Sequence, residues 1–359
     1  MLRRRFVSFR FLALRSMCGE AASLAKRTSR CAGSAFAIGI TIALAAQALA
    51  QSKQADQSAS GYPSKSVRLI VPSAAGSGTD LVGRMIGQGL SESWGQTVVV
   101  DNRGGAGGIP AVALLAKAAP DGYTMLLGSI GHFSFAPVLY RKLPYDPQKD
   151  LTQISLVANQ PFVIAVHPSL PASSIKELIA LAKNRPGTIR YGSGGPGTAA
   201  HLGPVLLELT AGISFMHVPY RGIGPGLIAV MSGEIELIMP GLANVMPHLK
   251  NDRLRVLAVT GAKRSRVAPH LPTVAEGGLP GFEFNVWYAL AFPGGVSRPI
   301  LTKTNAEVVK VLKSAAVRER FSVIGLEPVS STPEQIAELI KGDQPKWERV
   351  VKAANIRIE

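Results

Sequence analysis

Two stretches of small residues concentrate the binding chemistry of this chain. The first reads Pro72-Ser73-Ala74-Ala75-Gly76-Ser77-Gly78-Thr79-Asp80. The second reads Tyr191-Gly192-Ser193-Gly194-Gly195-Pro196-Gly197-Thr198-Ala199-Ala200-His201. Small residues let a ligand approach the backbone closely. Each stretch opens a helical pattern, and a helix start offers N–H groups with no intrahelical acceptor at the positive end of a dipole. Such a site suits a carboxylate or a phosphate. The candidate contacts are Ser73, Ala74, Ala75, Gly76, Ser77, Gly78 and Thr79 in one loop, and Ser193, Gly195, Gly197 and Thr198 in the other. Thr79 or Asp80 is expected to cap the first helix. A tight capped turn gives the same pattern, so a single loop says little. Two of them suit the two ends of one anion.

Other strand ends add candidates. Gly128-Ser129-Ile130-Gly131-His132 contributes Ser129, Gly131 and His132. His201 follows the second loop by one helical turn, and either donates to a ligand or packs on the loop. Tyr220 and Arg221 close the run SFMHVPYR. Arg221 offers a forked pair to a carboxylate, or an ordinary surface ion pair. Met239 and Pro240 end a further strand and either line a pocket or serve the fold alone.

Catalytic patterns are missing. The chain has no G-x-x-x-x-G-K-[ST], H-E-x-x-H or G-x-S-x-G, and its six histidines show no metal-ligand spacing. Gly76-Ser77-Gly78 with Asp101 mimics a dinucleotide fingerprint, but Leu81 stands where the third glycine belongs. We expect no catalytic residue, no metal and no cofactor, and so a protein that is not an enzyme.

The elements that must position these loops alternate. Strands at 66–72, 97–102 and 124–129 are each followed by a loop or helical pattern, and this order argues for parallel α/β sheets. A long extended stretch, 154–168, breaks near Gln160-Pro161. A second α/β series follows: helix 174–185, strand 189–193, helix 199–211, strand 214–220, helix 226–233 and strand 235–240. Extended runs at 255–261 and 287–295 precede helices at 298–314, 333–341 and 344–354. The expected division is residues 62–163 as the first part of lobe 1, 164–255 as lobe 2, and 256–359 as a return to lobe 1.

The N-terminus reads as an address. A basic region precedes the apolar run Ala35–Leu49, which ends in Ala48-Leu49-Ala50. The run is short for a membrane span. It fits a signal peptide, residues 1–50, cleaved after Ala50, with translation starting at Met1 or Met17. Residues 51–61 form a polar linker. Both cysteines, Cys18 and Cys31, fall in the leader, so the mature chain has no thiol chemistry. The leader also carries eight Lys/Arg and one acid, so it accounts for seven of the sixteen net positive charges. The remaining positive field favours small anions. Bases and aromatics do not interleave as a nucleic-acid surface would require.

The motifs YPSKSVRLIVPSAAGSGTD, VVVDNRGGAGG, AAPDGYTMLLGS, KLPYDP, RYGSGGPGT, HVPYRG, RVLAVTGAKRS, LPTVAEGGLPGFE and WYALAFPGG occur in order from Tyr62 onward. As a set they resemble the tripartite tricarboxylate transporter substrate-binding proteins, the Bug or TctC-type family. The resemblance implies a type II, Venus-flytrap periplasmic binding protein with two α/β lobes joined by a hinge. It implies a small carboxylate ligand held by Ser73–Thr79, Ser129–His132 and Ser193–Thr198. It also implies delivery to the permease subunits of a tripartite transporter, or presentation to a sensor kinase, by a periplasmic monomer. An exported enzyme is the remaining alternative. The chain departs from the family's usual P-F-P-A-G-G-G-T-D: Ser73 and Ala74 replace Phe and Pro, and Ser77 replaces Gly. The first wall is therefore smaller and more polar. Met239-Pro240-Gly241 replaces an acidic segment common in the family, which argues against an amino-acid ligand.

Overall fold

The computed structural model describes residues 61–248 and 253–356. The expected signal peptide, nearly all of the polar linker and both cysteines lie outside the described residues. In chain order the elements are β1 (Val67–Val71), α1 (Gly78–Trp94), β2 (Val98–Asn102), α2 (Ile109–Ala116), β3 (Thr124–Ser129), α3 (Ala136–Leu139), β4 (Leu151–Pro161), β5 (Val163–Val166), α4 (Ile175–Asn184), β6 (Arg190–Ser193), α5 (Ala199–Ala211), β7 (Met216–Pro219), α6 (Ile223–Met231), β8 (Leu237–Ile238), α7 (Leu242–Val245), β9 (Arg255–Val259), β10 (Asn285–Pro293), α8 (Arg298–Lys313), α9 (Ala315–Val323), β11 (Glu327–Pro328) and α10 (Pro333–Ala353). No described helix is long and apolar enough to cross a membrane.

The strands form two sheets, ordered β11-β4-β10-β3-β1-β2 and β7-β6-β8-β5-β9. Both are mixed, which corrects the expectation of parallel sheets. β1 is parallel to β2 and β3, but β10 is antiparallel to β3 and β4. β6 is parallel to β7 and β8, but β5 is antiparallel to β8 and β9. The reason lies in how the chain crosses. It leaves the first sheet at Pro161 and enters the second at Val163. It returns after Val259 and re-enters the first sheet at Asn285. The first strand after each crossing starts where its new neighbours end, so it must run against them.

That direction fixes the geometry of function. Asn285 pairs with Pro161, and Tyr288 with Ser129, so β3, β4 and the start of β10 share one edge. Phe162 bridges to Gly241, and Val163 pairs with Val259, so β5 starts at the edge where β8 and β9 end. Both sheets therefore turn their carboxyl edges toward the same double crossing. Thr260, fully buried, ties the two crossings together. Its N–H donates to Phe162 O at 2.9 Å, and its hydroxyl lies 2.7 Å from Phe284 O. The rings of Phe162 and Phe284 meet edge to face at 5.3 Å.

Helix α1 shows why the loops sit where they do. Ser77 caps it, and Gly95 ends it in the left-handed conformation. Val82, Ile86 and Leu90 repeat every four residues and bury one face. Gly83 lets the helix close on β1, since a Cβ there would lie 2.8 Å from Val71 Cγ2. At the other end of the chain, α10 is one helix where a break had been expected. Pro345 is exposed, so the carbonyl four residues earlier, freed by the missing N–H, can be met by water. Strand 235–240 shrinks to Leu237–Ile238, and α9 was not anticipated.

Candidate functional site

The first loop is built around a buried carboxylate. Asp80 is 1% exposed. Its Oδ2 accepts the Gly76 N–H at 2.7 Å and Arg84 Nε at 3.0 Å, and its Oδ1 accepts Asn102 Nδ2 at 3.0 Å. Burial works against the charge, but the Gly76, Asn102 and Arg84 donors together hold the carboxyl below the usual aspartate range. The cap itself is Ser77, whose hydroxyl accepts the Asp80 N–H, rather than Thr79 or Asp80 as expected. The Ser73 and Ser77 hydroxyls bond each other at 2.7 Å. Ala74, Ala75, Gly76 and Gly78 are exposed. With the Gly76 N–H taken by Asp80, the first-turn N–H groups of Gly78 and Thr79 are the backbone donors that helix geometry leaves for a ligand.

The glycines after β2 wedge beneath this loop. A Cβ at Gly104 would lie 3.0 Å from Ala74 N. At Gly108, where φ is +79°, a Cβ would lie 2.5 Å from His132 Nε2 and 2.7 Å from Pro72. Asp101, the decoy acid, is spent on ion pairs with Arg68 and Arg103.

His132 sits in a π-helical turn, Gly131–Phe135, that follows β3. Its Nδ1 accepts the Ser129 N–H at 3.0 Å, so the neutral ring carries its proton on Nε2. Burial pushes the ring down to about 4. An unfolded histidine titrates near 6.5. Between those values the unfolded chain binds a proton that the folded ring refuses, so stability is present above about pH 6.5 and is lost as pH falls toward 4. We expect His132 to add up to about 1.4 kcal/mol per pH unit to that slope. Urea midpoints measured from pH 7 to 4 check this. His132→Asn, which keeps an acceptor for Ser129, should flatten the profile by about that amount.

On the first sheet, beside the double crossing, lies a polar pair that the sequence reading missed. The Tyr288 hydroxyl donates to Gln160 Oε1 at 2.9 Å. Burial raises Tyr288 to about 12, and the Thr79 side chain is its other partner. A Cβ on Gly241 would meet the Gln160 amide at 2.3 Å. Gln160 thus touches the first-lobe loop, through Tyr288, and the second-lobe strand end at Gly241. Its only sequence signal was a polar residue beside a proline within an apolar run.

The second loop keeps several of its own donors. The Gly195 N–H donates to Ser193 Oγ at 3.0 Å, and the Gly197 N–H donates to His201 Nδ1 at 3.1 Å. The Thr198 hydroxyl donates to Gly195 O at 2.7 Å and does not cap α5. His201 is 5% exposed and packs on the loop, the second of its two alternatives. Burial, then the neighbouring His217, pushes it down to about 4. Tyr220 leans on Gly192 and Gly226, and its hydroxyl bonds Glu234 at 2.8 Å. Arg221 is exposed at the same strand end. Met239 is fully buried against Gly203, and Pro240 is buried with its carbonyl on the Val163 N–H.

The structure therefore places Ser73–Thr79 and Ser129–His132 at the carboxyl edge of the first sheet, and Ser193–Thr198, Tyr220–Arg221 and the buried Met239 and Pro240 at the carboxyl edge of the second. Depressions also lie elsewhere. One of about 680 Å³ is lined by Leu81, Met85 and Val323, and one of about 560 Å³ by Tyr145 and Gln344. Both are lined by residues of the first lobe alone.

Comparison with known proteins identifies the family. Residues 82–356 match the "Tripartite tricarboxylate transporter family receptor" family. BugT of Bordetella pertussis is 35% identical over 327 residues, covering 90% of this chain and 97% of that protein. An R. palustris protein solved with adipate is 35% identical, with a TM-score of 0.71, over 82% of this chain and 99% of that one. MatC from Rhodopseudomonas palustris, solved with bound malate, is 30% identical, with a TM-score of 0.67, over 81% of this chain and 100% of that one. The family match starts inside α1 and runs through both crossings to the end of α10. The chain belongs to the tripartite tricarboxylate transporter receptor family of solute-binding proteins, and its fold is that family's pair of hinged α/β lobes.

Proposed function

We propose that this protein captures a small organic carboxylate in the periplasm by closing its two lobes, hands it to the permease subunits of a tripartite transporter, and catalyses no reaction. The observation that carries this reading is the orientation of the sheets. Loops that begin helices leave both carboxyl edges, and both edges flank one double crossing. An anion between them meets the positive ends of α1 and α5 at once. In this reading the lobes divide at Pro161–Phe162, close to the expected 163/164, and again between Thr260 and Phe284, later than the expected 255/256, because β9 and the Pro272–Val274 stretch that pairs with it stay with the second sheet. Cleavage after Ala50 would release the mature chain to the periplasm.

The relatives solved with adipate and malate support a carboxylate ligand. The Ser73–Ser77 hydroxyl pair gives this chain a more polar first wall than its family's usual Phe and Pro. Thermal-shift measurements with mono-, di- and tricarboxylates, adipate and malate first, test the proposal. A bound acid at one hundred times its Kd should add about 2.7 kcal/mol of stability. Stabilisation by a sugar, a cation or a peptide, with none from any carboxylate, would overturn it.

A further inference from the structure

Two imidazoles stand stacked behind the second glycine loop. The His201 and His217 ring centroids are 3.8 Å apart with an 8° interplanar angle. Tyr191 stacks on His217 at 4.9 Å. The rings come from different elements, His201 from α5 and His217 from β7. Tyr191 on β6 is ionisable too, and Glu208 on α5 acts on Tyr191. Glu208 accepts the Phe215 N–H.

Each ring turns one nitrogen to the loop. His201 Nδ1 accepts the Gly197 N–H. His217 Nε2 lies 2.7 Å from Ser193 Oγ, the atom that accepts the Gly195 N–H. The Ser193 proton has two possible acceptors, His217 Nε2 and the Gly195 carbonyl at 3.3 Å. We place it on the shorter contact, with His217 Nε2 as the acceptor; the other arrangement, in which Nε2–H donates to Ser193 Oγ and the hydroxyl to Gly195 O, would give both rings the same tautomer. A ring nitrogen that accepts carries no proton. His201 is then protonated on Nε2 and His217 on Nδ1, which makes two neutral rings in opposite tautomers. Charging either ring would put a proton on an accepting nitrogen and a cation against the face of its neighbour.

We infer that His217, paired with His201, is a positioning residue for ligand capture. His201 Nδ1 holds the Gly197 N–H, and His217 Nε2 orients the Ser193 hydroxyl whose oxygen holds the Gly195 N–H, so both donors are tied back into the loop and the anion is left to the first-turn N–H groups of α5. The pair shapes the site without adding charge to it. This inference rests on the proposed anion role of the second loop.

The test uses the side-chain stereochemistry of amides. Asn Oδ1 overlays the Nδ1 position of histidine, and Gln Oε1 overlays Nε2. His201→Asn and His217→Gln therefore keep the acceptor, while His201→Gln and His217→Asn displace it. Calorimetric titration of the mature protein with adipate and malate should place the first pair within about threefold of wild type. The second pair should bind at least tenfold more weakly, with unchanged circular dichroism. Nitrogen-15 NMR of the wild-type rings should show opposite tautomers, a signature that simple core packing would not produce. Four variants with equal affinity, or two rings in the same tautomer, would overturn the inference while wild-type binding left the carboxylate reading intact. Wild-type protein that bound no carboxylate would overturn the carboxylate reading itself.

Discussion

Trp347→Ala should lower the unfolding free energy by about 3–5 kcal/mol, the range for truncating a large buried aromatic. Trp347 is 1% exposed on α10. Its ring meets Phe135 edge to face at 4.5 Å and Phe284 at 5.9 Å. Phe135 ends the π-helical turn that carries His132, and Phe284 ends the return crossing. Lys346 lies over the indole and donates to Glu283 O at 3.2 Å. One turn earlier, Asp343 accepts the Ser134 hydroxyl. The indole is thus the common packing partner of a site-bearing turn and a crossing strand. Guanidinium unfolding of the alanine variant measures the loss. A midpoint within error of wild type would mean that α10 contributes little to the folded state. Trp347→Phe keeps part of the buried ring and should lose roughly half as much.

Asp80→Ala should weaken carboxylate binding about 100-fold and cost roughly 3 kcal/mol of stability. The carboxylate satisfies three donors, from Gly76, Arg84 and Asn102. A buried donor left without an acceptor costs about 1–3 kcal/mol, and half-exposed Arg84 recovers water and costs least. The loop backbone would also lose the bond that fixes Gly76, so α1 would no longer present its first N–H groups in one arrangement. The stability loss should depend on pH with a definite sign. The folded carboxyl titrates below its unfolded value, so its contribution is complete above about pH 4 and fades as pH falls through the folded pKa. The wild-type and alanine proteins should therefore differ most at neutral pH and converge in acid. Calorimetric titration with adipate and denaturant midpoints at pH 7 and pH 3 check both parts.

Much of the frame was legible in the sequence because it is local. Alternating apolar runs marked β1, β3 and β6, and glycine with capping residues marked the starts of α1 and α5. What escaped depends on pairing between distant residues. That β5 and β10 run against their neighbours follows from where the chain crosses, which periodicity does not record. Tyr288 read as one more strand residue, yet the fold brings it to Gln160, more than a hundred positions earlier. His217 sat within an extended run, and only the packing of β7 on α5 reveals its partner. Asp80 looked like a cap because caps and buried acceptors share the same residue types. The glycines at 104 and 108 were visible as a cluster, but their purpose, close passage beneath Ser73 and beside His132, is a tertiary contact.

Thr260 also bears on the speed of capture. Because it fastens one crossing strand to the other, the proposed closure would be a pivot about a shared axis rather than independent sliding or twisting of the lobes. An open molecule would then search along one angular coordinate for its closed form, and a ligand that engaged either loop first would find the other at the end of a single swing. The freedom lost on such a closure would be correspondingly small, so little of the interaction with the anion would be spent on holding the lobes still. Residues at this pin should alter the rates of opening and closing while leaving the contacts to the ligand unchanged.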